Sequence, residues 1–279
     1  MNRPCDATSL SETTTSDGIM PGVPSAVQTS NFPQYAYGIL QAASLAKSLK
    51  LSSITAVELG VAGGNGLLEL ERLSKAIGAE RQVDIKSVGF DLGSGMPEPV
   101  DYRDMPYIWQ RGFFTMDEEC IRSRLTSASL ILGDIAKTGS AFMATLSTPL
   151  GFISFDLDYY SSTVSAMRSL LNDEPERYLP RVFCYFDDTI GPHEELHSEF
   201  TGELLAIREF NSTHEHRKLA KIHGLRYKLL PLEEPWVDAM YVLHIFDHPR
   251  YNEYVYPERD RQFPLDDKSA RPRTGAKYE

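Results

Sequence analysis

Apolar runs alternate along the chain with segments whose apolar residues recur every three or four positions. The first run, residues 54–59, is β-branched and apolar, and four glycines follow it within residues 60–66. Leucines and an isoleucine then recur at helical spacing over residues 67–77. A buried strand, a tight turn and an amphipathic helix are therefore predicted, and this unit opens a doubly wound α/β sheet.

The same alternation continues to the end of the predicted domain. Further strands are predicted at residues 83–90, 129–133, 151–155, 181–186, 225–229 and 239–246. Helices are predicted at residues 116–125, 136–146, the stretch after 163 and the long, mixed-charge stretch 194–219. The predicted fold is α/β, a doubly wound Rossmann-like sheet of about seven strands, mostly parallel with an antiparallel terminal hairpin, and with helices on both faces.

Composition divides the chain into one domain and two tails. Residues 1–30 are rich in Ser and Thr and show no periodicity, which predicts a disordered tail. Residues 31–248 form the single predicted domain, and residues 249–279 form a polar C-terminal tail.

Two aromatic segments flank the predicted ligand edge of the sheet. The helix predicted at 31–51 precedes the first strand, and its Tyr35 and Tyr37 either face substrate or pack on the sheet edge. The loop at 92–115 follows a strand end and forms either a substrate wall or lid, or a satellite core. Its aromatic residues are Tyr102, Tyr107, Trp109, Phe113 and Phe114.

The glycine turn is a candidate ligand site, because glycine lets a ligand approach backbone N–H groups at a helix N-terminus. Glu58 precedes Gly60, Gly63 and Gly64, and Ala62 stands where a dinucleotide fingerprint has its second glycine. The turn could hold an adenosyl cofactor, hold a nucleotide or dinucleotide, or be purely structural.

An acid at the end of the second strand, Asp91, is placed where a ribose hydroxyl pair is usually bound. A carboxylate accepts both hydroxyl protons, so the residue type fits. The alternative for Asp91 is an ordinary surface turn.

Two later strands each end in a pair of carboxylates. Asp156 and Asp158 follow residues 151–155, and Asp187 and Asp188 follow residues 181–186. Four carboxylates close together repel, so either some are protonated or a cation lies among them. Oxygen ligands suit Mg²⁺, Ca²⁺ or Mn²⁺. The alternative is that single acids cap helices or face solvent.

These motifs resemble a known group of enzymes. The order acid, glycine, small residue, glycine from Glu58 to Gly64 is similar to the first motif of class I S-adenosylmethionine-dependent methyltransferases. The later acidic pairs resemble those of the metal-dependent macrocin O-methyltransferase family, over residues 54–190. The resemblance implies that Glu58 holds the cationic methionine end, that the glycines accommodate the cofactor, and that Asp134 takes the adenine amino group.

The resemblance also implies a division of labour among the carboxylates. Asp156, Asp187 and Asp188 would hold Mg²⁺ or another hard divalent cation, and Asp158 would be the general base. His193, which follows the acidic pair, is a rival base, although a loop histidine is more often plain surface. The chain departs from the family at Leu157, which replaces a small residue, and this leaves the substrate open.

Charge and cysteine content limit the partners. The net charge of −11 argues against nucleic acid and against anionic membranes. Neither a membrane-spanning run nor a signal peptide is found, and the three cysteines are scattered, with Cys184 in an apolar run. We therefore expect a cytoplasmic, reduced protein, and the sequence is compatible with a homo-oligomer.

The sequence thus predicts an S-adenosylmethionine-dependent, divalent-metal-assisted O-methyltransferase that acts on a hydroxyl of a small molecule, a sugar or natural product. Two alternatives stay open. One is an NAD(P)-dependent oxidoreductase, which Ala62 and the acidic pairs disfavour. The other is a non-catalytic protein that binds an adenosyl ligand.

Overall fold

A mixed sheet of seven strands runs through the part of the chain that the computed structural model describes, residues 29–228 and 234–255. The strands are β1 (Ser53–Leu59), β2 (Asp84–Asp91), β3 (Ser129–Leu132), β4 (Leu150–Phe155), β5 (Tyr178–Phe186), β6 (Arg217–Lys221) and β7 (Met240–Ile245). Their order is β3-β2-β1-β4-β5-β7-β6, and only β7 runs antiparallel to its neighbours. The predicted fold class is confirmed.

Helices connect the strands on both faces of the sheet. They are α1 (Pro33–Ser48), α2 (Asn65–Arg81), α3 (Glu118–Arg124), α4 (Ile135–Thr145), α5 (Tyr160–Leu170), α6 (Gly202–Thr213) and the single turn α7 (Leu225–Lys228). Short 3₁₀ turns include Tyr102–Asp104, Asp187–Thr189 and His193–Glu195. No described helix has the length and apolar character needed to cross a membrane.

The two hydrophobic cores lie on opposite faces of the sheet, because side chains alternate along each strand. Ile54 and Ala56 of β1 belong to the core under α1 and α2, whereas Val57 and Leu59 belong to the other. All six residues of β4 are buried, as expected for a central parallel strand covered on both faces. The two cores therefore hold the strand ends rigidly.

The strand order reverses between β1 and β4, and this switch point opens a crevice at the carboxyl ends of the strands. Leu59 lies level with Phe155, and Phe155 lies level with Phe186. The residues that follow these three positions therefore meet at one edge of the sheet. Asp156 and Asp187 follow two of these positions and Glu58 comes directly before the third, so the three acids share that edge.

Two element predictions near the C-terminus are wrong. The stretch 194–219 is not one helix, since α6 covers only Gly202–Thr213 and Leu219 lies in β6. The strand expected at 225–229 is replaced by the helical turn α7. β6 is an edge strand that pairs only with β7 and buries one side chain, Leu219, so its sequence lacks the apolar alternation that marks most strands.

The domain and tail limits stay predictions. Residues 1–28 and 256–279, which contain most of both predicted tails, lie outside the described residues. The first described residues of the C-terminal segment contact the domain, because Arg250 donates a hydrogen bond to the carbonyl of Leu49 at 2.7 Å.

Candidate active site

Glu58, at the end of β1, is a buried carboxylate with one free oxygen. Its side chain is only 2% exposed, and Oε1 accepts a hydrogen bond from the Tyr35 hydroxyl at 2.8 Å. Oε2 is buried and has no hydrogen-bond partner among the described residues. Burial raises the pKa of Glu58 to about 8. A buried, unpartnered carboxylate oxygen is a favourable site for a cationic group such as an ammonium.

Tyr35 belongs to this carboxylate rather than to a substrate surface. It is buried in α1, packs edge-on against Phe152 at 5.7 Å between ring centroids, and donates its hydroxyl proton to Glu58. Tyr37, two residues further along the same helix, is half-buried, and its ring centroid lies 5.9 Å from that of Trp236. Neither tyrosine side chain is exposed, which agrees with the packing alternative given above.

The glycines of the turn serve different purposes. A Cβ on Gly60, whose φ is +88°, would lie 1.8 Å from the Asp156 carbonyl oxygen, so Gly60 allows the ends of β1 and β4 to approach. A Cβ on Gly64 would meet the Ile121 side chain at 2.7 Å. A Cβ on Gly63 would meet nothing within 4 Å. Gly63 therefore faces open space, where a ligand can pass.

Asp91 closes the turn from the end of β2. Its Oδ2 accepts hydrogen bonds from the N–H groups of Val61 and Ala62, each at 2.9 Å, and its Oδ1 accepts from Gly93 at 2.6 Å. Ala62 adopts a left-handed φ of +43° within this turn. Asp91 is thus a structural anchor of the glycine turn. Its carboxylate oxygens keep further lone pairs that can accept hydrogen bonds from ribose hydroxyls. The ribose contact stays a prediction.

Asp134 lies at the N-terminus of α4 rather than at a buried site. Its carboxylate accepts a hydrogen bond from the Ala136 N–H at 3.0 Å and caps the helix. This contact accounts for an acid at this position. The adenine contact implied by the resemblance remains a prediction.

Three of the predicted carboxylates meet at the ends of β4 and β5. Asp156, Asp158 and Asp188 each offer one oxygen, and these oxygens lie within 4.8 Å of one another. Asp188 also accepts a hydrogen bond from the backbone N–H of Asp158 at 2.8 Å, which joins the two strand ends. Three convergent oxygens of this type suit a hard divalent cation.

The electrostatics of this trio favour a cation. Burial, with the nearby Asp187 and Asp158 carboxylates, raises the pKa of Asp156 well above its ordinary value. Burial, and next the charge of Glu203, does the same to the pKa of Asp188. Burial raises the pKa of Asp158 to about 7. The group as a whole resists ionisation until a positive charge joins it.

Asp158 is held in a strained conformation. Its φ is +56°, and the Tyr159 N–H reaches back to the Leu157 carbonyl at 2.5 Å, which closes a three-residue turn around Asp158. Left-handed backbone at a residue other than glycine costs about 1–3 kcal/mol and clusters at functional sites. The turn directs the Asp158 carboxylate into the trio.

Asp187 is next to the trio but is not one of its three members. The Tyr185 hydroxyl donates a hydrogen bond to its Oδ1. Both side chains line a cavity of about 410 Å³, which also includes Gln34 and Trp236. A space for a small molecule therefore adjoins the acids. A larger cavity, of about 770 Å³, lies at the amino end of β2, away from them.

The predicted rival base His193 lies on the surface. Its side chain is 90% exposed, and Nδ1 lies 3.3 Å from the carboxylate of Glu194. The less exposed histidine of this segment is His197, whose side chain is 9% exposed and lies 2.6 Å from the Glu195 carboxylate. No local sequence signal distinguishes these two histidines.

Glu203 is an acid of this site that the sequence analysis missed. It occupies the first turn of α6, is completely buried, and accepts a hydrogen bond from the Asp188 N–H at 3.2 Å. An acid in the first turn of a helix is common, so nothing local marked it. Only the fold brings it to Asp188.

The aromatic loop is anchored at its base and exposed at its tips. Asp104 is completely buried, and its carboxylate accepts hydrogen bonds from the Val100 N–H and from both the N–H and hydroxyl of Ser161, each at 2.8 Å. Tyr107 donates its hydroxyl proton to the Glu195 carbonyl at 2.7 Å. The exposed aromatic residues are Tyr102, Tyr107, Phe113 and Phe114. They do not form a satellite core.

Comparisons with known proteins place the fold. No protein-family model matches the chain, and no curated protein matches it. Among solved structures, CalS11, a calicheamicin methyltransferase, is similar at 19% identity and a TM-score of 0.50, over 80% of this chain and 86% of that one. The O-methyltransferase NovP is similar at 16% identity and a TM-score of 0.47, over 76% and 79%.

An O-methyltransferase from Bacillus cereus, in complex with SAH, is similar at 11% identity and a TM-score of 0.39, over 79% of this chain and 83% of that one. At these identities the likeness to CalS11 is one of fold. The chain has the Rossmann-like fold of this methyltransferase, and the resemblance found in the sequence is confirmed at the level of fold.

Proposed function

We propose that the protein is an S-adenosylmethionine-dependent, divalent-cation-assisted O-methyltransferase that acts on a hydroxyl of a small molecule. The observation that carries this proposal is the pairing of two sites in one crevice. Glu58 offers a buried, unpartnered oxygen beside an open glycine turn, and three aspartates converge a short way along the same edge. The similarity in fold to a methyltransferase supports it.

Glu58 would hold the positively charged amino-acid end of the cofactor, because its free oxygen lacks a counter-charge. Gly63 would let the cofactor cross the turn without a clash. When bound, the cofactor supplies an electrophilic sulfonium methyl group. Tyr35 keeps Glu58 in place through its hydrogen bond to Oε1.

Asp156 and Asp188 would hold the cation, since both belong to the observed trio and to the set that the resemblance implies. Asp187 and Asp158 compete for the third position, and single substitutions separate them. A bound divalent cation lowers the pKa of a hydroxyl and orients it.

Asp158 would act as the general base. Its carboxylate belongs to the trio, so it would lie beside an acceptor hydroxyl that is held there. Asp158 would take the acceptor's hydroxyl proton, and the bound cofactor would supply the methyl group that the acceptor oxygen receives in its place. The products are a methyl ether, S-adenosylhomocysteine and a proton.

The cavity beside Asp187 would hold the acceptor. Its volume of about 410 Å³ suits a small molecule of sugar size, and its lining includes the side chains of Asn31, Gln34 and Glu234, which can bond hydroxyl groups. Trp236 adds an apolar wall on which a ring can pack.

The test is transfer of a labelled methyl group from S-adenosylmethionine to a library of sugar, phenol and macrolide hydroxyl compounds. With Mg²⁺ we expect label in at least one acceptor, loss of transfer on adding chelator, and recovery on restoring Mg²⁺. Asp187→Ala should raise the Mg²⁺ concentration needed for half-maximal rate if Asp187 is the third ligand. Transfer that is indifferent to chelator would refute the cation, and a protein that does not bind S-adenosylmethionine would refute the whole proposal.

A further inference from the structure

Glu203 is the least accessible carboxylate near the acidic trio, and only one of its two carboxylate oxygens has a hydrogen-bond partner among the described residues. Its side chain has no exposed surface. Oε2 accepts the hydrogen bond from the Asp188 N–H, whereas Oε1 is buried and has no partner in the part of the chain that the structure describes. Leaving a buried carboxylate oxygen unpaired is costly, so a role in packing alone does not account for an acid here.

The charged groups around Glu203 have its own sign. Burial and, next, the carboxylates of Asp156, Asp187 and Asp158 disfavour its charged form, whereas the backbone hydrogen bond from Asp188 favours it. A glutamine of the same shape would accept that hydrogen bond equally well. What glutamate adds is negative charge directed at a group of aspartates that already attracts a cation.

Glu203 also reaches the part of the chain that presents two aspartates. Its hydrogen bond fixes the backbone of the 3₁₀ turn Asp187–Thr189, and Asp188 in turn accepts from the Asp158 N–H. One side chain on α6 thus holds the end of β5 against the end of β4. Groups that hold metal ligands in this way tune both their geometry and the affinity for the ion.

We propose that Glu203 is a positioning residue of the cation site, which fixes the Asp187–Asp188 turn and strengthens divalent-cation binding with its buried charge. The inference rests on the cation site of the proposed function. It assigns no direct bond between Glu203 and the ion, because Glu203 lies outside the trio whose oxygens converge.

The test compares calorimetric Mn²⁺ titrations of the full chain and two variants. Glu203→Gln keeps the shape and the acceptor for Asp188 but removes the charge. Glu215→Gln, just beyond the far end of α6 at a side chain that is 88% exposed, removes the same charge from the surface. We expect Glu203→Gln to bind Mn²⁺ about 10- to 100-fold more weakly, and Glu215→Gln to bind it as the unchanged protein does.

Urea unfolding without added cation provides the second measurement. Because glutamine removes one of several repelling charges, Glu203→Gln should be at least as stable as the unchanged protein in the absence of cation. A variant that fails to fold, or that loses stability without cation, would assign the carboxylate to the fold and overturn the proposal.

The outcomes distinguish a failure of the cation site from a failure of the role proposed for Glu203. If the unchanged protein binds no Mn²⁺, the cation site itself is refuted and the role of Glu203 falls with it. If the unchanged protein and Glu203→Gln bind Mn²⁺ equally, the cation site stands and only the role of Glu203 is refuted.

Discussion

The Glu58→Gln variant tests whether the buried Glu58 carboxylate lacks a positively charged partner in the glycine turn of the ligand-free protein. The carboxyl is buried, and its pKa is raised from an ordinary value of 4.5 to about 8. Between these two values the native protein binds more protons than the unfolded chain. The free energy of unfolding must therefore fall as the pH rises through this window.

The expected change in the free energy of unfolding follows from the pKa shift of Glu58. One pKa unit corresponds to about 1.4 kcal/mol, so Glu58 should lower the stability by about 2.5 kcal/mol between roughly pH 5.5 and roughly pH 7.5. Glutamine stays neutral and still accepts the Tyr35 hydrogen bond, so Glu58→Gln should not show this loss of stability as the pH rises. Glu58→Gln should become more stable than the unchanged protein as the pH rises.

The assay is urea unfolding of the ligand-free protein at both pH values, each of them above the isoelectric point of about 5.2. Glu119→Gln, an exposed position in α3, removes the same charge and should follow the unchanged protein at both values. Identical pH dependence in Glu58→Gln and the unchanged protein would show that Glu58 ionises freely and that burial does not raise its pKa. Calorimetry should also show weaker S-adenosylhomocysteine binding to Glu58→Gln at pH 7.5.

Three further predictions concern other parts of the site. Asp158→Asn should lower kcat by about 10²- to 10⁴-fold yet keep S-adenosylhomocysteine affinity, because asparagine tolerates the left-handed backbone there; unchanged turnover would remove Asp158 from the mechanism. Gly60→Ala should lose about 3 kcal/mol of unfolding free energy, whereas Gly63→Ala should fold normally and bind S-adenosylhomocysteine more weakly in calorimetry; the reverse pattern would contradict the roles given to the two glycines. Asp104→Asn should cost about 1–3 kcal/mol in urea unfolding, because its amide would face N–H and hydroxyl donors; no loss would show that the loop is anchored elsewhere.

The strand ends were predictable from the sequence because their signals are local. An apolar run that stops at an acid marks both a buried strand and the edge to which it points, and this placed Glu58, Asp91 and Asp156 correctly at the carboxyl ends. Parallel strands end at one edge, so the convergence of the acids followed from the predicted fold.

The two wrong element predictions near the C-terminus have the opposite cause, because contacts between distant segments determine the structure there. β6 reads Arg217-Lys-Leu-Ala-Lys221, and only Leu219 is buried, so the strand exists because β7 offers its free edge. The apolar residues that begin at Leu225 form a helical turn instead. The secondary structure of both segments depends on partners that are distant in sequence, and the local periodicity of apolar residues does not predict such partners.

The finer features of the site depend on contacts between distant segments. Tyr35 reaches Glu58 across 23 positions, and Glu203 reaches Asp188 across 15. The difference in exposure between the side chains of His193 and His197 depends on how a loop folds back on the domain. None of these contacts leaves a periodic trace, so the sequence could name the acids but not the residues that hold them.

The most direct test of the account is a calorimetric titration of S-adenosylhomocysteine and, separately, NAD into the full chain, with Mg²⁺ and then with chelator. The account predicts binding of S-adenosylhomocysteine alone, at micromolar affinity, and a loss of methyl transfer in chelator. Binding of NAD alone would contradict the assignment of Glu58 and the glycine turn. Binding of neither would leave the turn as a structural feature of a shared fold.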